Sequence, residues 1–574
     1  MPEHAPRRPG GRQVVAAVLG LALLLLAWAG WQGWRGAQDL RAAADTLAAV
    51  RTDLAAGEGA VAELRRAGEQ TAAARRHLSD PLLRVLGAVP ALGTPLQSAA
   101  DVARAADRTV RGGLLPLVAA AGPAPAERLA PGAGRLDVDY LADLAAPAAD
   151  TLRVLRETAD ELAAGPGETW AAPVDQARSD LTADLSELSS TMADVALGLE
   201  LAPALLGQGT TRRYLVVSQS PAEARGTGGL IGGYSLLEVT DGALSIVRSG
   251  SKSDLASPGE PVVDLGVQYD DHYGTNGATR GWINSNLSPH FPYAAQIWSA
   301  LWERQYGEVI DGAVLLDPIA LSYLLRAIGP VDLPDGSQVT ADNVVDLTLR
   351  DVYARVDLEE QDAYLQTVST AVAQALTTRD LPGRALVEAL VAAVDERRLL
   401  LWSADPAVQE RLAEQPISGH LTEGRRVVGD VIVDAAGSKL DYYLERDLRY
   451  VAGCGGPSRL TLALTNAAPA EGLPSYVTPE GFRAGGPPGT NILLATLYVP
   501  PGSIVSAVEL DGAPVRYRQG TERGLEWIEV LVTLLPGQRA ELAATFTEPP
   551  GTDGEVERLA QPLVREETFT ATGC

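Results

Sequence analysis

The chain reads as a multidomain α/β plus all-β protein: an N-terminal transmembrane helix, a helical stalk or bundle, a mixed-sheet α/β core and a C-terminal β-sandwich. Three observations carry this. One uncharged apolar run, Val14 to Trp31, stands near the N-terminus. Apolar residues then recur at helical spacing from about residue 36 to 205. From Ser438 onward, short strand-like runs alternate with turn pairs such as Asp511-Gly512 and Pro536-Gly537. With 574 residues, the chain is long enough for several domains, each with its own core. The expected boundaries are 1–12 for a cytoplasmic tail, 13–34 for the anchor, 35–207 for a helical extracytoplasmic region, 208–437 for the α/β core and 438–574 for the sandwich.

Arg7, Arg8 and Arg12 precede the apolar run. Its length of about 18 residues suffices for one membrane crossing. Trp28, Trp31 and Trp34 follow as an aromatic rim. Positive charge stays on the cytoplasmic side, so a single-pass protein of the cell membrane is expected, with its bulk outside the cytoplasm. Ala27-Trp28-Ala29 also has the small-x-small pattern of a cleavage site, which leaves a removed signal peptide as the alternative. The two cysteines, Cys454 and Cys574, open and end the last domain. In a secreted chain they are expected as a disulfide closing it; two separate thiols are the alternative, because spacing alone does not settle pairing.

In the helical region Leu40, Leu47, Leu54 and Val61 recur every seventh residue, with Val50 and Leu64 offset by three. That is an apolar seam, met equally by a zipper joining a homodimer or by one helix of an intramolecular bundle. Thr94-Pro95 starts a further helix, and residues 121–134, rich in Pro, Gly and Ala, form a connector. Leu141, Leu144, Ala148, Leu152 and Leu155, then Leu181, Leu185, Leu188, Met192 and Val195, mark two more helices. No cluster of catalytic residue types occurs here.

The α/β core begins with the apolar strand Tyr214–Val217. Asp241-Gly242 then turns a hairpin between strands at 234–239 and 244–247. Between them, Ser220 to Gly233 is expected as a Gly-rich loop carrying Glu223, Arg225, Thr227, Gly228 and Gly229. Glycines let backbone amides approach a ligand, and a guanidinium grips phosphate or carboxylate in two-pronged fashion. The plainer reading is a loop of unusual backbone angles with Glu223 and Arg225 paired. Arg225 and Arg248 flank the hairpin and are expected at one end of the sheet. With Lys252 and Arg280 they would make an anion-binding set, and Asp254 or Asp271 would hold a magnesium ion bridging phosphate oxygens. Ordinary surface ion pairing is the alternative for all of them. Helices are expected near 293–306, 319–328, 341–348, 359–376 and 382–397, with strands at 310–317, 399–402 and 427–433.

The remaining motifs exclude more than they offer. Neither the dinucleotide fingerprint nor a Walker loop is present, and HExxH, CxxC and G-x-S-x-G are missing. The five histidines are scattered without metal-ligand spacing. Ser249-Gly-Ser-Lys252 has the S-x-x-K spacing of a serine nucleophile but lacks a K-T-G companion and a helix to open. A net charge of −26 argues against nucleic acid, whose phosphates need a basic face. Arginine carries nearly all the positive charge; Lys252 and Lys439 are the only lysines.

Ser218-Gln-Ser-Pro-Ala-Glu223-Ala-Arg225-Gly-Thr227-Gly228-Gly229 resembles the motif of an uncharacterised bacterial envelope family, the domain of unknown function DUF4012, with serine where that pattern has asparagine. Three later stretches are similar to the same family. They are Asn286-Leu-Ser-Pro-His-Phe291-Pro292, Val309-Ile-Asp311-Gly312 through Gly329-Pro330-Val331, and Gly437-Ser-Lys439-Leu440-Asp441-Tyr442-Tyr443. The order of elements is also similar to that of LytR-CpsA-Psr proteins, single-span enzymes that move glycopolymers from polyprenyl-pyrophosphate carriers onto the cell wall. Their Arg-Thr-Asp motif has its acid where Gly228 or Gly229 stands here, and the counterparts of their Arg-Asp pair, Arg248 and Asp254, are not adjacent in this chain. The first resemblance implies a membrane-anchored envelope protein and carries no established activity; binding of a wall or envelope component is the expected function. The second implies, as the alternative, a magnesium-dependent phosphotransferase acting on a polyprenyl-phosphate lipid and a wall polymer.

Overall fold

The computed structural model describes residues 27–46, 60–89, 93–122, 125–132, 134–379, 383–478, 486–550 and 555–573. The cytoplasmic tail and most of the expected anchor fall at residues 1–26, outside the described residues, as do Leu47, Val50 and Leu54 of the apolar seam. Among the described residues no helix is long and apolar enough to cross a membrane. Trp28, Trp31 and Trp34 lie on a helix over 27–46 and are exposed. The chain divides into two compact units: residues 1–128 with 138–203, and residues 129–137 with 204–574.

The first unit is helical. Val102 and Ala105 on the helix Thr94–Asp107 share a core with Leu155 and Leu162 on Val138–Ala163 and with Leu185 and Met192 on Ala172–Leu205. Of the residues whose spacing marked the last two helices, Ala148, Leu155, Leu185 and Met192 are buried there, while Val195 is exposed. Leu64 of the seam packs within the unit, against Ala67 and Val110.

The second unit holds the sheets. Its first strands are β1 (Thr211–Arg225), β2 (Gly228–Thr240), β3 (Ala243–Ser251) and β4 (Gly312–Leu316). Two-residue strands β5 (Val331–Asp332) and β6 (Gln338–Val339) pair only with each other, and β7 is Leu399–Ser403. The first sheet has the order β3-β2-β1-β4-β7. β1 is central, antiparallel to β2 and parallel to β4. Trp298, Trp302 and Phe291, from the helix Phe291–Tyr306, fill one face of this sheet together with Leu215, Val217 and Leu315. Asp317 begins the helix Pro318–Ile328 by accepting the Ala320 amide (2.8 Å), with proline at its first turn and Gly329 after its end.

The remaining strands are β8 (Val427–Asp434), β9 (Leu444–Val451), β10 (Ser458–Asn466), β11 (Asn491–Val499), β12 (Ile504–Leu510), β13 (Ala513–Pro514), β14 (Arg518–Glu522), β15 (Leu525–Leu534), β16 (Arg539–Thr547), β17 (Glu557–Leu559) and β18 (Thr568–Thr572). They form two sheets, β13-β12-β16-β10-β9-β18 and β14-β15-β11-β8-β17, which share one apolar core. β8 lies on the core side of the expected boundary at 437 yet pairs with β11 and β17. A strand buried along its whole length, with only Val433 partly open, needs neighbours on both edges and cover on both faces, and the sandwich supplies them.

The largest local difference from expectation is at 220–233. The anticipated loop is strand: β1 runs on to Arg225, and Gly226 and Thr227 alone make the turn into β2. Bulges at Ser218/Gln219 and Ser220/Ala224 absorb the irregular register that the glycines suggested.

Candidate functional site

The far end of the β1–β2 hairpin is the densest polar site near the motif residues. Its close packing explains the glycines. Gly228 has φ +130°, a region that side chains avoid. A Cβ on Gly229 would lie 2.2 Å from the Ser220 carbonyl group, and one on Gly226 would lie 2.0 Å from the Leu287 oxygen. Backbone therefore fills the space that a ligand would have used. Thr227 Oγ1 accepts from Gln219 Nε2 (2.6 Å) and Asn286 Nδ2 (2.9 Å). Asn286 also donates to the Gly229 carbonyl (2.8 Å), and the Gly229 amide donates to Gln219 Oε1 (3.1 Å). Two of the stretches quoted for the family likeness thus meet side by side.

Arg225 is buried, and among the described residues its guanidinium donates to backbone carbonyls alone, those of Ala224 (2.8 Å), Asp434 (3.3 Å) and Ile283 (3.4 Å). Its own carbonyl accepts from Gln561 Nε2 (2.7 Å), which also bonds the Ile432 carbonyl. Glu223 does not pair with Arg225. Its Oε1 lies 3.3 Å from Lys439 Nζ, and both groups are buried. The Lys439 ammonium also sits over the rings of Tyr353 (4.7 Å) and Tyr476 (5.2 Å). Burial pulls its pKa down, but Glu223 and the two tyrosines outweigh that and hold it above the usual lysine range.

Two carboxyls complete the cluster. Asp441 accepts the Ala224 amide (2.8 Å) and Asn491 Nδ2 (2.8 Å). Asp434 accepts the Ala436 (2.9 Å) and Ser438 (2.8 Å) amides. Burial pushes Asp441 up to about 8, with the Asp434 charge adding to it, and burial pushes Asp434 up to about 6 against the pull of Arg225. The stretch Gly437–Tyr443 is therefore the third motif to converge here.

The other expected site residues lie elsewhere. Arg225 faces Gly228 in the β1–β2 register, whereas Arg248 faces Leu236 on β2. Eight residues of strand separate these positions, roughly 25 Å at ordinary rise, so the two arginines do not share an end of the sheet. Arg248 forms a forked pair with Glu308 (3.1 and 3.2 Å) and lies over Tyr306 (4.5 Å). Lys252 begins a short 3-10 turn that Ser251 and Asp254 cap reciprocally, Asp254 Oδ2 accepting the Ser251 amide at 2.9 Å. Arg280 is exposed and donates to the Gly259 carbonyl (3.3 Å). Asp271 is exposed on the helix Val267–Tyr273. These residues do not come together as an expected magnesium site: Asp254 is engaged as a cap, Asp271 stands exposed on another helix, and the arginines that would hold the bridged phosphate are apart; among the described residues no group of three His, Cys, Asp or Glu side chains gathers.

Sequence reasoning singled out Glu223, Arg225 and Thr227 but missed Asp434 and Gln561, which meet Arg225, and Asn491, which meets Asp441. Lys439 carried a signal as one of two lysines in the chain. A second buried cluster also went unseen. Glu522 accepts from Tyr498 (2.6 Å), Tyr273 (2.8 Å) and Ser288 (2.5 Å), beside His272 stacked on Trp527 at 3.7 Å.

This architecture defines a class: an α/β sheet whose central hairpin is bolted into a β-sandwich by buried polar groups. Residues 209–353 match the model of one family, described as Protein of unknown function (DUF4012), the family that the Glu223–Gly229 motif resembles. The match takes in Asn286 and Asp311 but ends before Lys439 and Asp441. No curated protein and no solved structure matches the chain.

Proposed function

We propose that this chain is a single-pass cell-envelope protein whose bulk lies outside the cytoplasm, and that residues 204–574 act as a non-catalytic module binding a wall or envelope component. The observation that carries the non-catalytic reading is the internal use of Glu223, Arg225 and Thr227. Each is buried and turned to protein partners, Glu223 through Oε1 to Lys439, Arg225 to backbone carbonyls and Thr227 to Gln219 and Asn286, while tryptophans fill one face of the adjoining sheet. A phosphotransferase of the LytR-CpsA-Psr type needs cations converging on a pyrophosphate. The separation of Arg225 from Arg248 speaks against that alternative.

The location rests on the arginines before the apolar run and on the cysteines. β18 runs parallel to β9, and the Ala452 amide donates to the Thr572 carbonyl (3.0 Å). Thr572 is two residues before Cys574, and Ala452 two before Cys454. A Cys454–Cys574 disulfide would close the sandwich and belongs in an oxidising compartment.

The test is membrane fractionation of cells with external protease, followed by sedimentation of the purified protein with isolated cell walls. Membrane retention, external cleavage and co-sedimentation are expected. Glycopolymer transfer by the purified protein, abolished in Arg225→Ala, would replace the binding reading with the enzymatic one.

A further inference from the structure

We infer that the helical unit carries a binding groove for a phosphate group. The groove has a volume of about 360 Å³ and is lined by Arg65, Glu69, Ala72 and Arg76 from one helix and by Arg111 and Leu115 from the facing segment. Arg65, Glu69, Ala72 and Arg76 are spaced four, three and four apart on the helix Ala60–Leu78, which puts them on one face. Arg111 lies in the π-helical turn Arg108–Leu114, whose extra residue per turn widens the backbone at that point. Gly68 forms the floor: a Cβ there would lie 3.1 Å from Leu115 and 3.2 Å from Arg111, so glycine allows the two segments their close approach.

Two of the cations, Arg65 and Arg76, make no ion pair among the described residues, and both are exposed. Buried Asp107 holds Arg111 at 3.6 Å and Arg75 at 3.3 Å, fixing Arg111 at the rim. With Arg75 counted beside Asp107, four guanidiniums stand against the carboxylates of Glu69 and Asp107, which leaves the groove net positive, and guanidinium geometry matches phosphate oxygens in pairs. The surrounding sequence has the same bias. Residues 60–122 hold eight arginines against five acids, in a chain whose net charge is −26, whereas residues 137–205 hold three against fourteen. Ala72 and Leu115 add an apolar strip beside the cations, suited to a phosphate diester attached to a glycerol or lipid. Such a group has two sources, a phospholipid headgroup or a soluble phosphorylated polymer.

The experiment is calorimetric titration of full-length protein in neutral detergent with glycerol 3-phosphate, with and without phosphatidylglycerol in the micelles. Saturable binding is expected, weakened at least about tenfold in Arg65→Gln/Arg76→Gln and unchanged in Arg153→Gln, which lies outside the groove. Thermal melting establishes that both variants fold. A loss of apparent affinity when phosphatidylglycerol is present assigns the site to a lipid headgroup; unchanged affinity assigns it to a soluble phosphate. No saturable binding, or equal binding by the double variant, overturns the inference.

Discussion

Glu223 and Lys439 show how much one pair can decide. Both are buried, so each charge depends on the other, with Tyr353 and Tyr476 as the remaining support for the ammonium. Lys439→Met leaves Glu223 buried and unpaired and should cost about 3–5 kcal/mol in denaturant unfolding of the sheet-bearing unit. Adding Glu223→Gln should recover much of that loss, because the stranded charge is gone. Asp434 and Asp441 make a pH prediction. Their folded pKa values are raised above those of an unfolded chain, so between about pH 4 and 8 the unfolded state loses its protons first. Their contribution therefore favours folding at low pH and is lost as pH rises through that window. Asp441→Asn should flatten the decline, measured as unfolding midpoints across pH. The change is tolerable because Asn491 Oδ1 has no hydrogen-bond partner and can accept from the new amide once Asn491 turns over.

At the scale of elements, the β1–β2 hairpin works as a tenon. Its strands are ordinary at the Thr211 end and crowded at the Arg225 end, where Ala224 enters the core of the sandwich. Two glycines on β2 separate these regimes. Gly229→Ala sets a Cβ 2.2 Å from the Ser220 backbone and should destabilise by about 3 kcal/mol or more. Gly232→Ala meets only the Ser218 oxygen at 3.6 Å and should be nearly neutral. Thermal melts of the two variants check the contrast, and equal effects would mean the crowding relaxes. β18 supplies a further prediction. If Cys454 and Cys574 are bridged, intact mass under non-reducing conditions should rise by about 2 Da on reduction, and Cys454→Ser should lower the melting temperature.

For the molecule as a whole, two compact units with separate cores should unfold independently, giving two calorimetric transitions. A single transition with equal calorimetric and van't Hoff enthalpies would show them coupled. Much of the architecture was legible. Helical periodicity marked Val138–Ala163 and Ala172–Leu205, a helix was expected near 319–328 and stands at Pro318–Ile328, and Asp241-Gly242 turned the hairpin. The stretch holding Glu223, Arg225, Thr227 and their glycines stood out in the sequence as well, but its burial inside the fold did not. A Gly-rich polar stretch looks the same whether it will hold a ligand or a neighbouring segment. Hydropathy period, turn chemistry and helix capping act over a few residues, so the chain alone settles them. The partners were out of reach of that reasoning. Ala224 meets Asp441 across 217 residues, and Arg225 meets Gln561 across 336. Only the packing of β8, the 437–443 stretch and the C-terminal segment against the hairpin brings those groups together. That packing decided which polar atoms were left to face a ligand and which were consumed inside the fold.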